Sequence, residues 1–204
     1  MAVNILGALA ERPIIPAVRQ QRDLQEALAS PARVVFLLAA TVFNLPEACA
    51  QAREAGKIFF VHLDMIQGLS KDGFGVQWVA QQAKPSGIIT TRAHLVSEAR
   101  SHGLLVIQRT FLLDSQSVHT GVEMVKDARP DVLEILPGIV PSEIQDIARR
   151  VPVPVIAGGL IKTRLQCIAA LRAGAAGAST SQKDLWVADI PEPGGPDARR
   201  SKGH

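Results

Sequence analysis

The 204-residue sequence has no tyrosine, two tryptophans and six phenylalanines, so aromatics make up only 4% of it. That scarcity argues against a base-stacking surface, which needs a series of exposed rings. Cysteine is as sparse. Cys49 and Cys167 lie far apart, each within an apolar helical pattern, and read as buried, reduced packing residues rather than a disulfide. No run reaches the roughly 18 apolar residues that a membrane span requires, and residues 1–10 lack the basic start of a secretory signal. Charge of one sign is not in excess either. Lys and Arg total 22 against 19 Asp and Glu, for a formal charge of +3 and a pI near 9.1, which permits a polyanion partner without announcing one. These absences leave a soluble cytoplasmic protein as the expectation, with no membrane partner.

What is present is an apolar interior in small units. Hydrophobic residues make up 47% of the chain and charged ones 20%, with Ala, Val, Ile and Leu plentiful. The length favours one domain. Its expected extent is residues 1–190. Residues 191–204 (Pro-Glu-Pro-Gly-Gly-Pro-Asp, then Arg199, Arg200 and Lys202) lack apolar periodicity and are expected to form a disordered tail.

Short β-branched runs alternate with amphipathic stretches along the chain. Strands are predicted at 13–18, 34–38, 58–64, 87–91, 104–109, 131–136, 154–157 and 177–180. Helices are predicted over 23–29, over 45–55 with Asn44 as its cap, over 74–83, over 92–102 and to 128 from a Ser115 cap. Two more start at Pro141 and at a Thr163 cap. Eight β segments at a spacing of roughly 20–25 residues suit βαβ units. Their continuous apolar character implies burial on both faces, as parallel sheets require. A Rossmann or flavodoxin-like sheet would need a glycine fingerprint after the first strand, where this chain has Arg19-Gln20-Gln21-Arg22. The predicted fold is therefore a compact (β/α)₈ TIM-type barrel with a short or incomplete eighth helix.

In such a barrel, polar residues at the carboxyl ends of strands converge on one site. Here they are Arg19; His62 and Asp64; Thr90, Thr91 and Arg92; Gln108 and Arg109; Glu134; Gly158 and Gly159; and Ser179, Thr180 and Ser181. Phosphate commonly sits between the loops after the last two strands. Gly158-Gly159 would let the backbone approach it, and Ser179, Thr180 and Ser181 would offer hydroxyls and amides. The plainer alternative is a glycine turn and a capped short helix. His62, Asp64 and Glu134 could form an acid/base set, hold a cation, or order a polar ligand through buried hydrogen bonds. Recognition of ligand hydroxyls is the favoured reading, with no catalytic residue and no metal assigned. A buried Glu134 requires a partner, with Arg109 and Arg19 the candidates. Gly68 to Gly75 lacks the Walker arrangement and is read as a lid or as a solvated loop, with Lys71 and Asp72 on it.

The strings Phe36-Leu37-Leu38, Phe43-Asn44-Leu45, Phe60-Val61-His62-Leu63-Asp64, Gly87 to Arg92, Ile107-Gln108-Arg109, Phe111 to Ser115, Glu134 to Gly138, Ile156 to Ile161 and Ser179-Thr180-Ser181 occur in this order. Together, from about Pro13 to Trp186, they resemble the glycerol uptake operon antiterminator regulatory protein family. The resemblance implies a TIM-type barrel that responds to glycerol 3-phosphate as an effector and needs no cofactor. It implies a regulator that acts on leader mRNA of glycerol-catabolism genes, not an enzyme. It places phosphate on Gly158, Gly159, Ser179, Thr180 and Ser181, and glycerol hydroxyls near His62, Asp64, Arg109 and Glu134. Arg19 and Thr91 complete the polar set. The chain departs from the family pattern at Ala39-Ala40-Thr41, where a polar Thr-Gly-Asp-like loop is usual, and at Ser86, where Asp is usual. The alternative is a barrel enzyme for a small phosphorylated three-carbon or sugar substrate. A homo-oligomer is compatible with either reading.

Overall fold

The computed structural model describes residues 4–190; the tail expected at 191–204 lies outside the described residues. Eight parallel strands close into a barrel: β1 (Ile14–Val18), β2 (Val34–Leu37), β3 (Ile58–His62), β4 (Gly87–Thr90), β5 (Leu105–Phe111), β6 (Val132–Leu136), β7 (Val155–Gly158) and β8 (Gly177–Thr180). Each strand pairs with its sequence neighbours, and β8 closes on β1 through Ile15 opposite Ser179. Closure removes the edge strands that an open parallel sheet would have to protect. The predicted fold class is the one observed.

Alternation along each strand sorts the side chains. Ile15, Val34, Phe36, Phe60, Ile89, Ile107, Val132 and Ile156 point inward and fill the barrel. Phe36 and Phe60 meet edge to face there, with ring centroids 5.8 Å apart. Gly87 is glycine because a Cβ would lie 2.5 Å from the Phe60 ring and 2.3 Å from the Leu105 carbonyl oxygen. A helix that the sequence reading did not assign, α1 (Ile5–Glu11), seals the amino-terminal end with Ile5, Ala8 and Leu9. The outward-facing residues pack beneath the surrounding helices in two further clusters. Cys49 and Cys167 are free and buried in these clusters, and burial pushes their thiols up to about 12 and about 11.

The helices follow the expected order with local corrections. They are α2 (Leu24–Ala29), α3 (Leu45–Glu54), α4 (Gly73–Trp78, prolonged by a π turn to Ala83), α5 (Val96–Ser101, after a 3₁₀ turn), α6 (Ser115–Ala128), α7 (Pro141–Arg150), α8 (Arg164–Arg172) and the four-residue α9 (Lys183–Trp186). Asn44 stands at the N-cap of α3 as expected but makes no side-chain cap bond. Its side chain accepts from the Thr41 amide at 2.8 Å, while Thr41 Oγ1 accepts from the Asn44 amide. The cap of α6 is Asp114 instead of Ser115, in a reciprocal box with Ser117. Thr163 caps α8 as expected, with Gln166 completing its box. Ala40–Thr41 and Ile66–Gln67 form a small parallel ribbon between the β2 and β3 loops. No helix among the described residues is long and apolar enough to cross a membrane.

Candidate functional site

A cavity of about 380 Å³ opens at the carboxyl end of the barrel. Its polar side is built from Arg19 after β1, Arg109 on β5, Glu134 on β6, Lys162 after β7, and Ser181 and Gln182 after β8. Its apolar side carries Leu38, Met65, Leu136, Leu160 and Ile161.

The floor of the polar side is one buried network. Arg109 Nε donates to Glu134 Oε2 at 2.8 Å, and Ser179 Oγ donates to Glu134 Oε1 at 2.7 Å. Glu134 is 0% exposed and Arg109 8%. Register explains the meeting, because Arg109 lies opposite Glu134 across β5 and β6. Gly158 leaves room for it: a Cβ there would fall 2.4 Å from Glu134 Oε1 and 2.6 Å from Ser179 Oγ. Of the two arginines considered as partners for Glu134, Arg109 holds it, and Arg19 stays exposed at the rim.

Ser179 and Thr180 line the cavity, and their hydroxyls already donate within the protein. Thr180 Oγ1 donates to the Ile161 carbonyl at 2.7 Å and accepts from the Gln182 amide, locking the β7 and β8 loops together. Trp186 Nε1 fixes the Thr180 carbonyl from α9. Ser181, exposed on the lining, is the hydroxyl of the three that faces the opening. After β7 the chain passes through two consecutive left-handed residues, Gly159 (φ 73°) and Leu160 (φ 60°). Glycine accommodates this freely, whereas leucine does so at a cost of about 1–2 kcal/mol.

His62, Asp64 and Thr91 do not line this cavity. Asp64 accepts from the Thr91 amide (2.8 Å), Thr91 Oγ1 (3.1 Å) and Arg92 Nε (3.1 Å), forming a separate knot at the ends of β3 and β4. Burial alone would raise its carboxyl. The Thr91 amide, His62, the Thr91 hydroxyl and Arg92 outweigh burial and hold it below the ordinary value. His62 is only 4% exposed, with Nδ1 unpartnered. Burial first, and then the charge of Arg109, lower its pKa to about 4 against the opposing pull of Asp64. The acid/base trio considered above is thus split, with Glu134 in the cavity floor, Asp64 in the separate knot and His62 hydrogen-bonded to neither, and no cluster able to hold a metal occurs among the described residues. Lys71 and Asp72 do not line the cavity either. Lys71 Nζ donates to the carbonyls of Leu63 and Ile66, and Asp72 caps α4 through the Gly75 amide.

The neutral burial of His62 predicts a pH dependence. The unfolded chain takes up this proton near pH 6.5 and the folded one near 4. Stability therefore falls as pH drops through that window, by at most about 3 kcal/mol. Unfolding midpoints measured from pH 7 to 4 should decline less steeply in His62→Gln than in the parent; parallel profiles would contradict the assignment.

Lys162, Gln182, Leu38, Met65 and Leu160 are cavity residues that the sequence reading missed. Lys162 could have been found, since it follows the Gly158-Gly159 turn and precedes the Thr163 cap. The apolar members gave no signal, because a leucine or methionine at a strand end reads as core.

A closed parallel barrel whose strand-end loops enclose a pocket with three cations and one carboxylate defines a ligand-binding (β/α)₈ barrel. The chain belongs to the glycerol-3-phosphate responsive antiterminator family, whose model matches residues 14–186. It is 31% identical over 183 residues to the uncharacterized protein YgcP of Escherichia coli (strain K12), a match covering 90% of this chain and 96% of that one. The glycerol uptake operon antiterminator regulatory protein from Listeria monocytogenes str. 4b F2365 superposes with a TM-score of 0.84 at 33% identity, covering 91% of this chain and 98% of the other. A glycerol uptake operon antiterminator-related protein from Thermotoga maritima MSB8 superposes with a TM-score of 0.75 at 32% identity, over 85% and 96% of the two chains. The resemblance drawn from the strand-end strings is thus a family membership, and the family is one of regulators.

Proposed function

We propose that this chain is a ligand-gated antiterminator: glycerol 3-phosphate occupies the mouth cavity, and the ligated barrel binds leader mRNA of glycerol uptake and catabolism genes. The charge of the cavity carries the reading. Arg19, Arg109 and Lys162 face one carboxylate, Glu134, already held by Arg109 and Ser179. The surplus of two cations suits the dianion of a phosphate monoester. The phosphate lies between the loops after β7 and β8, against the backbone of Gly158-Gly159 and Ser179 to Ser181, with Arg19 and Lys162 over it. The glycerol hydroxyls turn toward Arg109 and Glu134. His62, Asp64 and Thr91 stand at the neighbouring strand ends, outside this floor, and are not assigned to the ligand. Residues 1–190 act as one regulatory domain in the cytoplasm, where nascent transcripts are found.

For gating, the ligand must bind the RNA-competent state more tightly than the other state. Calorimetric titration with glycerol 3-phosphate should give saturable heat, and no heat at millimolar ligand would remove the sensor. A leader transcript should be retained more strongly with ligand than without it. That retention should weaken steeply with salt, as counterion release demands.

A further inference from the structure

We propose that the transcript is held on the carboxyl face of the barrel, on the rim around the ligand cavity, with unpaired bases stacked on Phe43, Phe74 and Phe111. The proposal rests on the antiterminator reading above and names the surface that it leaves open. Of the six phenylalanines, Phe36, Phe59 and Phe60 are buried. Phe43, Phe74 and Phe111 are 92%, 81% and 48% exposed. Phe43 follows β2, Phe74 lies at the start of α4 after β3, and Phe111 ends β5, so all three stand at one end of the barrel. Scarcity of aromatics argues against a base-stacking surface, but composition does not record that half of the phenylalanines gather on one face.

The other exposed apolar side chains share this distribution. Among the described residues, all the large ones except Leu6 and Val187 lie at the carboxyl ends of strands or in the loops and first helical turns that follow. Single exposed apolar residues need no explanation, but their concentration at one end marks an interaction surface. The two most exposed rings also sit on fixed backbone. The turn that carries Phe43 is closed by the reciprocal bonds of Thr41 and Asn44, and the Val42 amide donates to the Gln67 carbonyl at 3.0 Å. Phe74 lies in the first turn of α4, just after the Asp72 cap. Rings presented on an ordered backbone lose little freedom when a base stacks on them.

Charge selects RNA over a second protein as the occupant. Besides the cations assigned to the ligand, Arg22 after β1, Arg92 after β4 and Arg164 opening α8 are exposed at this end. Arg22 and Arg164 have no carboxylate partner among the described residues. Carboxylates of the same end are already engaged: Asp64 holds the Thr91 amide and Arg92, Asp72 and Asp114 cap helices, and Asp23 pairs with Lys183. Exposed rings among cations suit a single strand, whose bases stack while its phosphates follow the positive charge. A protein–protein face is depleted of charge at its centre, whereas the centre here is the charged ligand cavity. Two loops join the sites, pairing Arg19 with Arg22 after β1 and Lys162 with Arg164 after β7. An anion that fixes the first of each pair orders the second, which gives the ligand a route to the transcript.

The test measures the affinity of the full chain for the leader transcript at saturating glycerol 3-phosphate. Phe43→Leu, Phe74→Leu and Phe111→Leu should each weaken it by roughly fivefold to a hundredfold, because leucine keeps an apolar side chain but removes the stacking face. Phe43→Trp and Phe74→Trp should hold or raise it, and Leu6→Ser, on α1 at the opposite end, should leave it unchanged. Calorimetric titration with glycerol 3-phosphate and the thermal transition should match the parent in every variant. Parental transcript affinity in all three leucine variants would overturn the proposal and move the RNA to another face. So would a parent oligomer, seen by sedimentation, that the leucine variants dissociate with transcript affinity intact; the face would then join copies of this chain. A parent that binds glycerol 3-phosphate but no transcript would remove the antiterminator reading and this surface with it.

Discussion

Replacing Glu134 with alanine is expected to lower the unfolding free energy by about 3–5 kcal/mol, because it leaves the Arg109 guanidinium buried without a counter-charge. The carboxylate is 0% exposed and receives two hydrogen bonds, one from Arg109 and one from Ser179. A loss of that size is a large share of the marginal stability of a domain. The discriminating control is the double substitution Glu134→Leu/Arg109→Met. Removing both charges together is far cheaper than removing one, so the double variant should regain much of what Glu134→Ala loses. Urea unfolding of the parent, both singles and the double measures the coupling. If Glu134→Ala costs less than about 1 kcal/mol, the pair is solvated and the buried network is not what joins β5, β6 and β8.

Arg19→Ala and Lys162→Ala are expected to weaken binding of glycerol 3-phosphate by about tenfold to a hundredfold each, with little effect on stability. The range follows from the roughly 1.5–3 kcal/mol of a hydrogen bond to a charged group. Both residues are exposed at the rim, and neither takes part in the Glu134 network, so folding does not depend on them. Titration calorimetry against the parent reads the loss, and the affinity should also fall with added salt. Unchanged affinity in both variants would move the anion away from the β7 and β8 loops. Affinity lost together with the thermal transition would mean that the residues are structural. Arg109 is not a fair test of ligand contact, since its removal would leave Glu134 as an unpaired buried charge.

Strand-end chemistry was readable because parallel barrels send one class of position to one place. Glu134 between Leu133 and Ile135 had to oppose its neighbours, and the structure turns it into the barrel while Leu133 and Ile135 pack outward. Gly158 could be named, but the reason it is glycine could not. That reason is the approach of Glu134 and Ser179 from strands on either side of β7. Ser179, Thr180 and Ser181 look alike in a string of letters. Their hydroxyls have three different environments because the β7 loop supplies an acceptor to one and Glu134 supplies an acceptor to another. His62 and Asp64, two residues apart, were grouped with Glu134 by strand position, yet Asp64 is drawn aside by Thr91 and Arg92.

The amino-acid order alone dictated the barrel, its strand count, its short last helix and the end at which polar groups gather. Those features follow from periodicity and local turn chemistry, which act over a few residues. The tertiary structure alone decided which polar groups are used up in holding strands together and which remain to meet a ligand, and it alone revealed the apolar side of the cavity. Hydrogen-bond partners and exposure are set by residues distant along the chain. Glu134 and Ser179 are 45 positions apart, and no local pattern records that they touch.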